Sequence, residues 1–382
     1  MKIGIVTEYY YPTLGGIQEH VYNFAVEARS LGHDARIITS NIYDVRDDGS
    51  MTSKVPITRI GIGVPIYQNG SVARITFSPF LGNKLQKLFD RERFDVIHVH
   101  APLTPTLPIL SVTRSNTVTV GTFHTNFTSS NFLVIFNKAC QSYLDRMDGL
   151  VAVSKTAAAA LDRYFNATFS IIPNGVDTTR FNPETPRHPL LDDGKFNILW
   201  VGRMEPRNGL DRMIRAFLHA FSVRNDLRLI VIGDGSLRST YEAMIPVNMK
   251  QHVHFTGFVN TGRPPIYSSS HLLCVPATIS SFGITVLEGM ATAIPVIASD
   301  IDGFRDIMTD DAEGMLIDTA DTIAFKNAIL KIAGDKELAG RYGACGRKTA
   351  LRYSWPSVSK QVIDYYQTAA DYRKVRLKRK SG

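Results

Sequence analysis

Short apolar runs alternate with longer amphipathic segments along almost the whole chain. In the first half, runs typical of buried strands lie at 2–7, 35–39, 57–60, 96–99, 117–122, 149–153 and 169–172. After the first run comes a loop with Gly15 and Gly16, and then a helical pattern that extends from Gln18 to Leu31 and ends at Gly32. Strands that alternate with helices in this way are typical of parallel α/β layers.

The alternation breaks once and then restarts. Residues 172–177 are followed by Pro183, Pro186 and Pro189 without helical periodicity, which predicts a linker. Beyond it, strands are predicted at 197–201, 227–232, 253–256, 272–275, 295–298 and 314–317, and a helix at 209–221. The pattern predicts an α/β protein with two doubly wound, Rossmann-like domains, residues 1–174 and 175–355, facing each other across a cleft.

Composition narrows the class of protein. Hydrophobic residues make up 44% and charged residues 20% of 382 residues, which excludes a disordered or fibrous chain. No apolar run is long enough for a membrane-spanning helix, and Glu8 comes too early for a signal peptide. The cysteines Cys140, Cys274 and Cys345 fit neither a disulfide framework nor a zinc spacing. We therefore expect a cytoplasmic protein.

The net charge of +8 is concentrated at one end of the chain. Residues 373–380 contain six lysines and arginines, residues 374–382 form a predicted basic tail without an acidic residue, and the rest of the chain is nearly neutral. Such a tail is either a solvated end or a contact with an anionic surface. This distribution gives no support to a nucleic-acid partner.

Three loops at predicted strand ends could bind an anion. Gly15-Gly16 precedes a helix, whose N-terminal amides can bind phosphate, although a plain tight turn has the same sequence. Arg203 and Arg207 follow the strand at 197–201, where guanidinium groups can bind an anionic ligand or remain solvated. Residues 280–291 form a small-residue loop that leads into an apolar helix, in which Glu288 is a candidate acceptor for a hydroxyl group.

Histidines mark the ends of two further strands. His98 and His100 point to the same face of one strand, and we expect them to be hydrogen-bonded residues, because no third metal ligand is evident nearby. His124 comes just past the carboxyl end of the next strand, where either a structural or a site role is possible. The sequence contains no convincing Asp-x-Asp metal motif, so we expect no metal.

A series of segments in chain order resembles the GT-B glycosyltransferases of family four, and within them the bacterial phosphatidylinositol mannosyltransferases. Residues 15–21 are similar to that subfamily's Gly-Gly-Val-Gln-x-His-Val motif. Further similarity lies at 65–74, 94–100, 122–125, 172–177, 281–284 and 298–300. The resemblance covers nearly the whole chain, and it implies two Rossmann-like domains, the first completed by a C-terminal helix at about 356–373.

The resemblance implies a metal-independent, retaining transfer of a hexose, such as mannose from GDP-mannose, to a lipid-linked or other hydroxyl acceptor. It implies no cofactor, because the nucleotide-sugar is a substrate. The second domain would bind this donor, and the first domain would bind the lipid or glycan acceptor. Stabilisation of charge on the departing diphosphate would come from N–H groups and arginine.

Residue roles follow from the same resemblance, position by position. Arg203 and His124 would be the catalytic residues, and Gln18 and His124 would contact the acceptor. The expected donor-binding residues are Gly16, Arg203, Arg207, Asn208, Val259, Ser281, Phe282, Gly283, Ile284 and Glu288.

Two positions depart from the family pattern. Asn208 stands where the family usually has a lysine, and Ser280 stands where it usually has a glutamate that touches the donor sugar. Loss of both contacts would remove about 3–5 kcal/mol of transition-state stabilisation. Arg207 could replace the missing cation. The alternative is a catalytically degenerate relative that only binds a nucleotide-sugar or phospholipid, whereas the absence of Gly-x-Gly-x-x-Gly disfavours an NAD-linked oxidoreductase.

Residues 83–93 form a predicted amphipathic helix with Leu85, Leu88 and Phe89 on one side and four basic residues elsewhere. This pattern is typical of a surface helix packed on a sheet and also of a helix that lies on an acidic membrane. Together with the resemblance to lipid-modifying enzymes, it leads us to expect peripheral attachment to the inner membrane face.

Overall fold

The computed structural model describes residues 1–12, 15–43, 54–68, 71–124, 131–259 and 262–381. The chain divides into two units, of which the first contains Met1–Gly175 and Trp355–Gly382 and the second contains Val176–Ser354.

The first unit is built on an eight-stranded sheet with the order β4-β3-β2-β1-β5-β6-β7-β8. Its strands are β1 Lys2–Val6, β2 Asp34–Asn41, β3 Ile57–Gln68, β4 Ser71–Phe77, β5 Val96–His100, β6 Val118–Phe123, β7 Gly149–Ala152 and β8 Ser170–Ile171. The helices between them are α1 Gly16–Ser30, α2 Leu81–Glu92, α3 Leu107–Arg114, α4 Asn131–Ile135, α5 Asn137–Leu144 and α6 Lys155–Asp162. Neighbouring strands are parallel except β3 and β4.

The second unit has a six-stranded parallel sheet with the order β11-β10-β9-β12-β13-β14. Its strands are β9 Phe196–Val201, β10 Leu227–Ile232, β11 Val253–Gly257, β12 Leu272–Val275, β13 Val296–Ser299 and β14 Gly314–Ile317. Its helices are α7 Leu210–Phe221, α8 Arg238–Ala243, α9 Arg263–Ser268, α10 Ile284–Ala291, α11 Asp302–Arg305, α12 Thr322–Gly334 and α13 Lys336–Arg352. Short 3₁₀ helices lie at Pro189–Leu191, Pro206–Asn208 and Val247–His252.

The edge of the first sheet differs from the prediction. A strand was predicted only at 57–60, whereas β3 continues to Gln68 and pairs with the antiparallel β4, which the prediction missed. The apolar pattern is interrupted there by Gly61, Gly63 and Pro65. Glycine and proline are typical of loops and sheet edges, so the pattern predicted no strand beyond residue 60. Residues 69–70, inside the family-like segment 65–74, lie outside the described residues.

Helix α2 buries the apolar side that the sequence indicated. Leu85, Leu88 and Phe89 are at most 9% exposed and belong to the core on one face of the first sheet. These side chains are therefore packed inside the protein and do not form a membrane contact. No helix among the described residues combines the length and apolarity needed to span a membrane.

The last helix, α14, extends over Trp355–Ser381 and so continues through most of the predicted basic tail. Arg373, just before that tail, and Arg376, within it, share a partner in the first unit: the buried carboxylate of Asp148 lies 3.2 Å from Arg373 and 2.6 Å from Arg376. The prediction of a separate tail was therefore wrong, because these ion pairs hold the segment as helix against the first sheet.

Candidate active site

Three parallel strands of the first unit end at the same edge of the sheet. The loop after β1 leads to α1, His100 is the last residue of β5, and His124 follows β6. Because the carboxyl ends of parallel strands are the usual place for ligand sites, these loops form the candidate site of the first unit.

A cluster of three imidazoles occupies this edge, and we refer to His20, His100 and His124 as the histidine cluster. Their ring centroids are 5.0–5.3 Å apart. His100 Nδ1 lies 2.9 Å from His124 Nε2, which is a hydrogen-bond distance. His20 and His100 are at most 2% exposed, whereas His124 keeps intermediate exposure. The cluster therefore joins α1, β5 and the loop after β6.

His98 lies on the core side of this cluster. Its Nδ1 is 2.7 Å from the Tyr366 hydroxyl on α14, and its Nε2 is 2.6 Å from the Thr122 hydroxyl on β6. Both of its nitrogens thus have partners, and the residue connects the sheet to the last helix.

The Pro-Asn-Gly segment completes the cluster. Asn174 Oδ1 accepts a hydrogen bond from His20 Nδ1 at 2.8 Å. The next residue, Gly175, packs on the Trp355 ring so closely that a Cβ atom there would lie 2.5 Å from Trp355 Cδ2. Glycine is therefore required at 175, and this close packing holds the Asn174 backbone beside His20.

Burial keeps the histidines of this region neutral. It lowers the pKa of His20 to about 4, against a smaller opposing effect of the Asn174 hydrogen bond. Burial, with a smaller effect of His20, lowers the pKa of His98 to about 3. The pKa values of His100 and His124 fall well below the usual range, through burial first and the neighbouring histidines second. At neutral pH each ring therefore carries one proton.

The same three residues are the group that could hold a metal ion in the described part of the chain. One ligand nitrogen from each lies within 4.8 Å of the others. The prediction that His100 has no third potential ligand nearby is therefore wrong, since residues distant in sequence meet here. The two nearest nitrogens, however, already form the hydrogen bond between His100 and His124.

Gly16 and Gln18 lie at the start of α1 on the same edge. Gly16 is the first residue of this 15-residue helix, and no side chain among the described residues caps it. Gln18 is 6% exposed, and its Oε1 would lie 2.9 Å from a Cβ atom at Gly15. The N-terminus of α1 thus lies at this edge, and the N-terminus of a helix can bind an anion.

In the second unit, the loop after β9 holds two guanidinium groups together. The Glu205 carboxylate lies 2.9 Å from Arg203 Nη1 and 2.8 Å from Arg207 Nε. Both arginine side chains remain about half exposed, whereas Glu205 is 14% exposed. Partial burial lowers the pKa of Arg203, against an opposing effect of Glu205. The loop therefore presents a preorganised pair of cations.

Asn208 stabilises this loop through two hydrogen bonds. Its side-chain amide donates to the Arg203 carbonyl at 2.7 Å, and its own carbonyl accepts from Trp200 Nε1 at 3.2 Å. Gly209 follows with φ +70°, and a Cβ atom there would lie 1.9 Å from the Pro276 carbonyl oxygen. In this structure Asn208 therefore fixes the loop backbone.

The loop after β12 lies beside the two arginines. The Thr278 amide donates to the Arg207 carbonyl at 2.8 Å. Ser281, Phe282 and Gly283 then lead into α10, which begins at Ile284. Gly283 has φ +112°, and a Cβ atom there would be 2.9 Å from the Phe304 ring. The arginine pair and the α10 N-terminus thus lie in loops that are directly hydrogen-bonded.

Glu288 is a buried carboxylate with two partners of its own. It is 1% exposed, and its carboxylate lies 3.1 Å from Arg263 Nη1 and 2.6 Å from the Tyr267 hydroxyl. The Phe181 ring packs against both partners. A ligand hydroxyl would therefore bind to a carboxylate that is already held in one orientation. Val259, of intermediate exposure, lies in the loop after β11.

Sequence reasoning missed several residues of these two regions. His20 and Asn174 were seen only as parts of motifs, and Glu205, Arg263 and Tyr267 were not singled out. The alternation of Arg203, Glu205 and Arg207 was a visible signal for an arginine pair bridged by a carboxylate. The contact between Arg263 and Glu288 could not be predicted from the sequence, because it depends on how α9 and α10 pack.

Comparison with known proteins identifies the family. The family model described as "Glycosyltransferase Family 4" matches residues 14–180, and that described as "Glycosyl transferases group 1" matches residues 195–335. The chain is 31% identical over 378 residues to the phosphatidyl-myo-inositol mannosyltransferase of Mycobacterium leprae, with 97% of each chain covered. The chain belongs to glycosyltransferase family 4. This confirms the family resemblance and implies a nucleotide-sugar donor and an acceptor.

Two further comparisons bear on this family member. A GDP-mannose-dependent alpha-mannosyltransferase of Mycolicibacterium smegmatis is 26% identical to it over 402 residues, covering 98% of this chain and 100% of that one. A crystal structure of a glycosyltransferase from Rickettsia africae superposes with a TM-score of 0.75 at 17% identity, covering 96% of this chain and 98% of that chain. The predicted GT-B-like fold, with two parallel α/β sheets in two domains, is thereby confirmed.

Proposed function

We propose that this glycosyltransferase moves mannose from GDP-mannose to a hydroxyl group of an inositol-containing lipid, with retained configuration and without a metal. The names of the two mannosyltransferase relatives support the choice of sugar, base and acceptor. The observation that carries the proposal is the pair of guanidinium groups held by Glu205 next to the α10 N-terminus.

In this proposal the second unit, Val176–Ser354, binds the donor. Arg203 and Arg207 neutralise the diphosphate, and the N-terminal amides at Gly283 and Ile284 donate to its oxygens. Charge develops on these oxygens as the sugar–phosphate bond breaks, so fixed donors stabilise the transition state more than the ground state. The other donor contacts are Ser281, Phe282, the backbone of Val259 and the Glu288 carboxylate on the ribose.

The departure from the family pattern at Asn208 receives a specific role here. Arg207 supplies the second cation, because Glu205 holds it beside Arg203, and Asn208 has become a support for the loop. Replacement of Asn208 by lysine would remove the hydrogen bond to the Arg203 carbonyl. This arrangement supports a rebuilt diphosphate site.

The first unit, Met1–Gly175 with α14, binds the acceptor in this proposal. Gly16 contributes its backbone to the donor diphosphate, and Gln18 contacts the inositol ring. His124, the least buried member of the histidine cluster, lines the site for the sugar and the acceptor hydroxyl. The exposed basic side chains of α2, including Lys84 and Lys87, contact an anionic lipid surface.

A panel of donors and acceptors tests the proposal. GDP-mannose, UDP-glucose and ADP-glucose are each incubated with vesicles that contain phosphatidylinositol or, as the control, phosphatidylglycerol. We expect product only with GDP-mannose and phosphatidylinositol, and an α-linkage by NMR. Turnover with another donor, or equal turnover on both lipids, would contradict the assigned substrates.

Ser280 favours one second candidate, a protein that binds a nucleotide-sugar without transferring it. The family's usual glutamate at this position touches the donor sugar, and serine is too short to replace that contact. The two candidates separate in the same assay, because a binder would show saturable affinity for GDP-mannose and no transfer or hydrolysis. Ser280→Glu would then restore turnover only in the degenerate case.

A further inference from the structure

The histidine cluster carries an inference about how His124 is held. We propose that Asn174 and His100 are positioning residues that fix the His124 imidazole as the neutral tautomer with its proton on Nδ1. The ring then acts as an oriented wall of the site and exchanges no proton with substrate. The inference rests on the proposed function in one respect only, which is that His124 lines the site.

The hydrogen bond between His100 and His124 leaves two possible proton arrangements. Either His100 Nδ1–H donates to His124 Nε2, or His124 Nε2–H donates to His100 Nδ1. In the second arrangement the proton of His100 would be on Nε2. That atom is fully buried and has no hydrogen-bond partner among the described residues.

An unpaired buried N–H is rarer and more costly than an unpaired acceptor, so the first arrangement is favoured. His124 Nε2 is then an acceptor, and the His124 proton is on Nδ1. This assignment follows from the hydrogen bond and the burial of His100.

Asn174 supports the same arrangement from the other side. Its Oδ1 accepts from His20 Nδ1 at 2.8 Å, so the oxygen faces the cluster. The His20 ring in turn packs edge-on against the His124 ring, with centroids 5.0 Å apart, so Asn174 acts on His124 through His20.

A metal ion would need a different arrangement of the same residues. Nitrogens that bind one Zn²⁺ at about 2.0–2.1 Å must all direct lone pairs at it. In the described structure, His20 Nδ1 points at Asn174, and His100 Nδ1 and His124 Nε2 point at each other, whereas His20 Nε2 and His100 Nε2 have no hydrogen-bond partner among the described residues. A metal bound through His124 Nε2 would therefore have to replace the hydrogen bond between His100 and His124.

The proposal is tested first on the unmodified protein. With ¹⁵N-labelled histidine, long-range ¹H–¹⁵N spectra distinguish Nδ1–H from Nε2–H tautomers, and His124→Gln identifies its signals by their loss. We expect the Nδ1–H tautomer for His124 at neutral pH. An Nε2–H tautomer, or one equivalent of added Zn²⁺ binding to the cluster and shifting these signals, would overturn the proposal. This readout does not depend on activity.

The role of Asn174 is tested by two replacements and a control. Asn174→Leu keeps the size and removes the acceptor, Asn174→Asp keeps an acceptor oxygen, and Asn166→Leu alters an exposed asparagine whose contacts are through its backbone. We expect Asn174→Leu to mix the His124 tautomers and to lower kcat by roughly tenfold to a hundredfold, with an unchanged KM for the donor.

Asn174→Asp is expected to keep the Nδ1–H signal and to recover part of kcat, while Asn166→Leu changes neither. A normal His124 tautomer in Asn174→Leu would overturn the positioning role. If the tautomer behaves as expected but no transfer occurs even in the unmodified protein, the proposed function fails and the tautomer assignment stands.

Discussion

Gly175 provides the most direct test of how the first unit holds its site. An alanine there would place its Cβ 2.5, 2.6 and 2.8 Å from three atoms of the Trp355 ring system. Trp355 is 6% exposed and belongs to the core shared by α1 and α14, so the ring has little room to move. Overpacking of this kind costs about 1–3 kcal/mol. For about 2 kcal/mol, we expect Tm to fall by roughly 4–8 °C.

The assay is thermal unfolding of Gly175→Ala beside Gly340→Ala, which adds a methyl group inside α13 where nothing lies within 4 Å. The control should be neutral or stabilising by up to about 1 kcal/mol, because alanine is the better helix former. In a Trp355→Leu background, Gly175→Ala should cost much less, since the clash is removed. Equal Tm values for the two alanine variants, or an unchanged cost in the Trp355→Leu background, would refute the steric argument.

Three further outcomes are expected. Burial raises the pKa of Glu8 from its usual 4.5 to about 7. Between these two pH values the folded protein keeps the Glu8 carboxyl protonated, whereas the unfolded chain has lost that proton. Relative to Glu8→Gln, unfolding free energy of the unmodified protein should fall by roughly 3 kcal/mol between pH 4.5 and 7 and then level off, as urea titrations at several pH values would reveal. Asp148→Asn should destabilise the first unit by about 3–5 kcal/mol, because it leaves the partly buried Arg376 without its counter-charge. Hydrogen exchange at the end of α14 should then increase, and unchanged exchange would contradict the claim that Asp148 holds this helix end. Replacement of Lys84 and Lys87 by glutamine should weaken co-sedimentation with phosphatidylserine vesicles, and binding independent of anionic lipid would contradict the membrane contact.

The strands of both sheets could be predicted because buried parallel strands are continuous apolar runs. Residues 227–232, 272–275 and 314–317 agree with β10, β12 and β14 to the residue. The β3–β4 hairpin could not be predicted from the same rule, because Gly61, Gly63 and Pro65 break its pattern.

The candidate site was predictable where a motif lies next to a strand end, as at Arg203 and His124. It was not predictable where partners meet across the fold. Asn174 and His20 are 154 residues apart in sequence, and their contact depends on the packing of Gly175 against a tryptophan from the last helix. Local sequence patterns contain no information about such a pairing.

The central claim is that Arg203 stabilises the diphosphate as the sugar departs, and Arg203→Ala tests it most directly. Arg341→Ala is the matched control. The Arg341 side chain is 51% exposed, against 53% for Arg203, and it forms an ion pair with Asp311 as Arg203 does with Glu205. We predict that kcat/KM for GDP-mannose falls by about 10²–10³ in Arg203→Ala, as for loss of one transition-state donor, and stays within twofold in Arg341→Ala. Equal kcat/KM values for the two variants would contradict the claim.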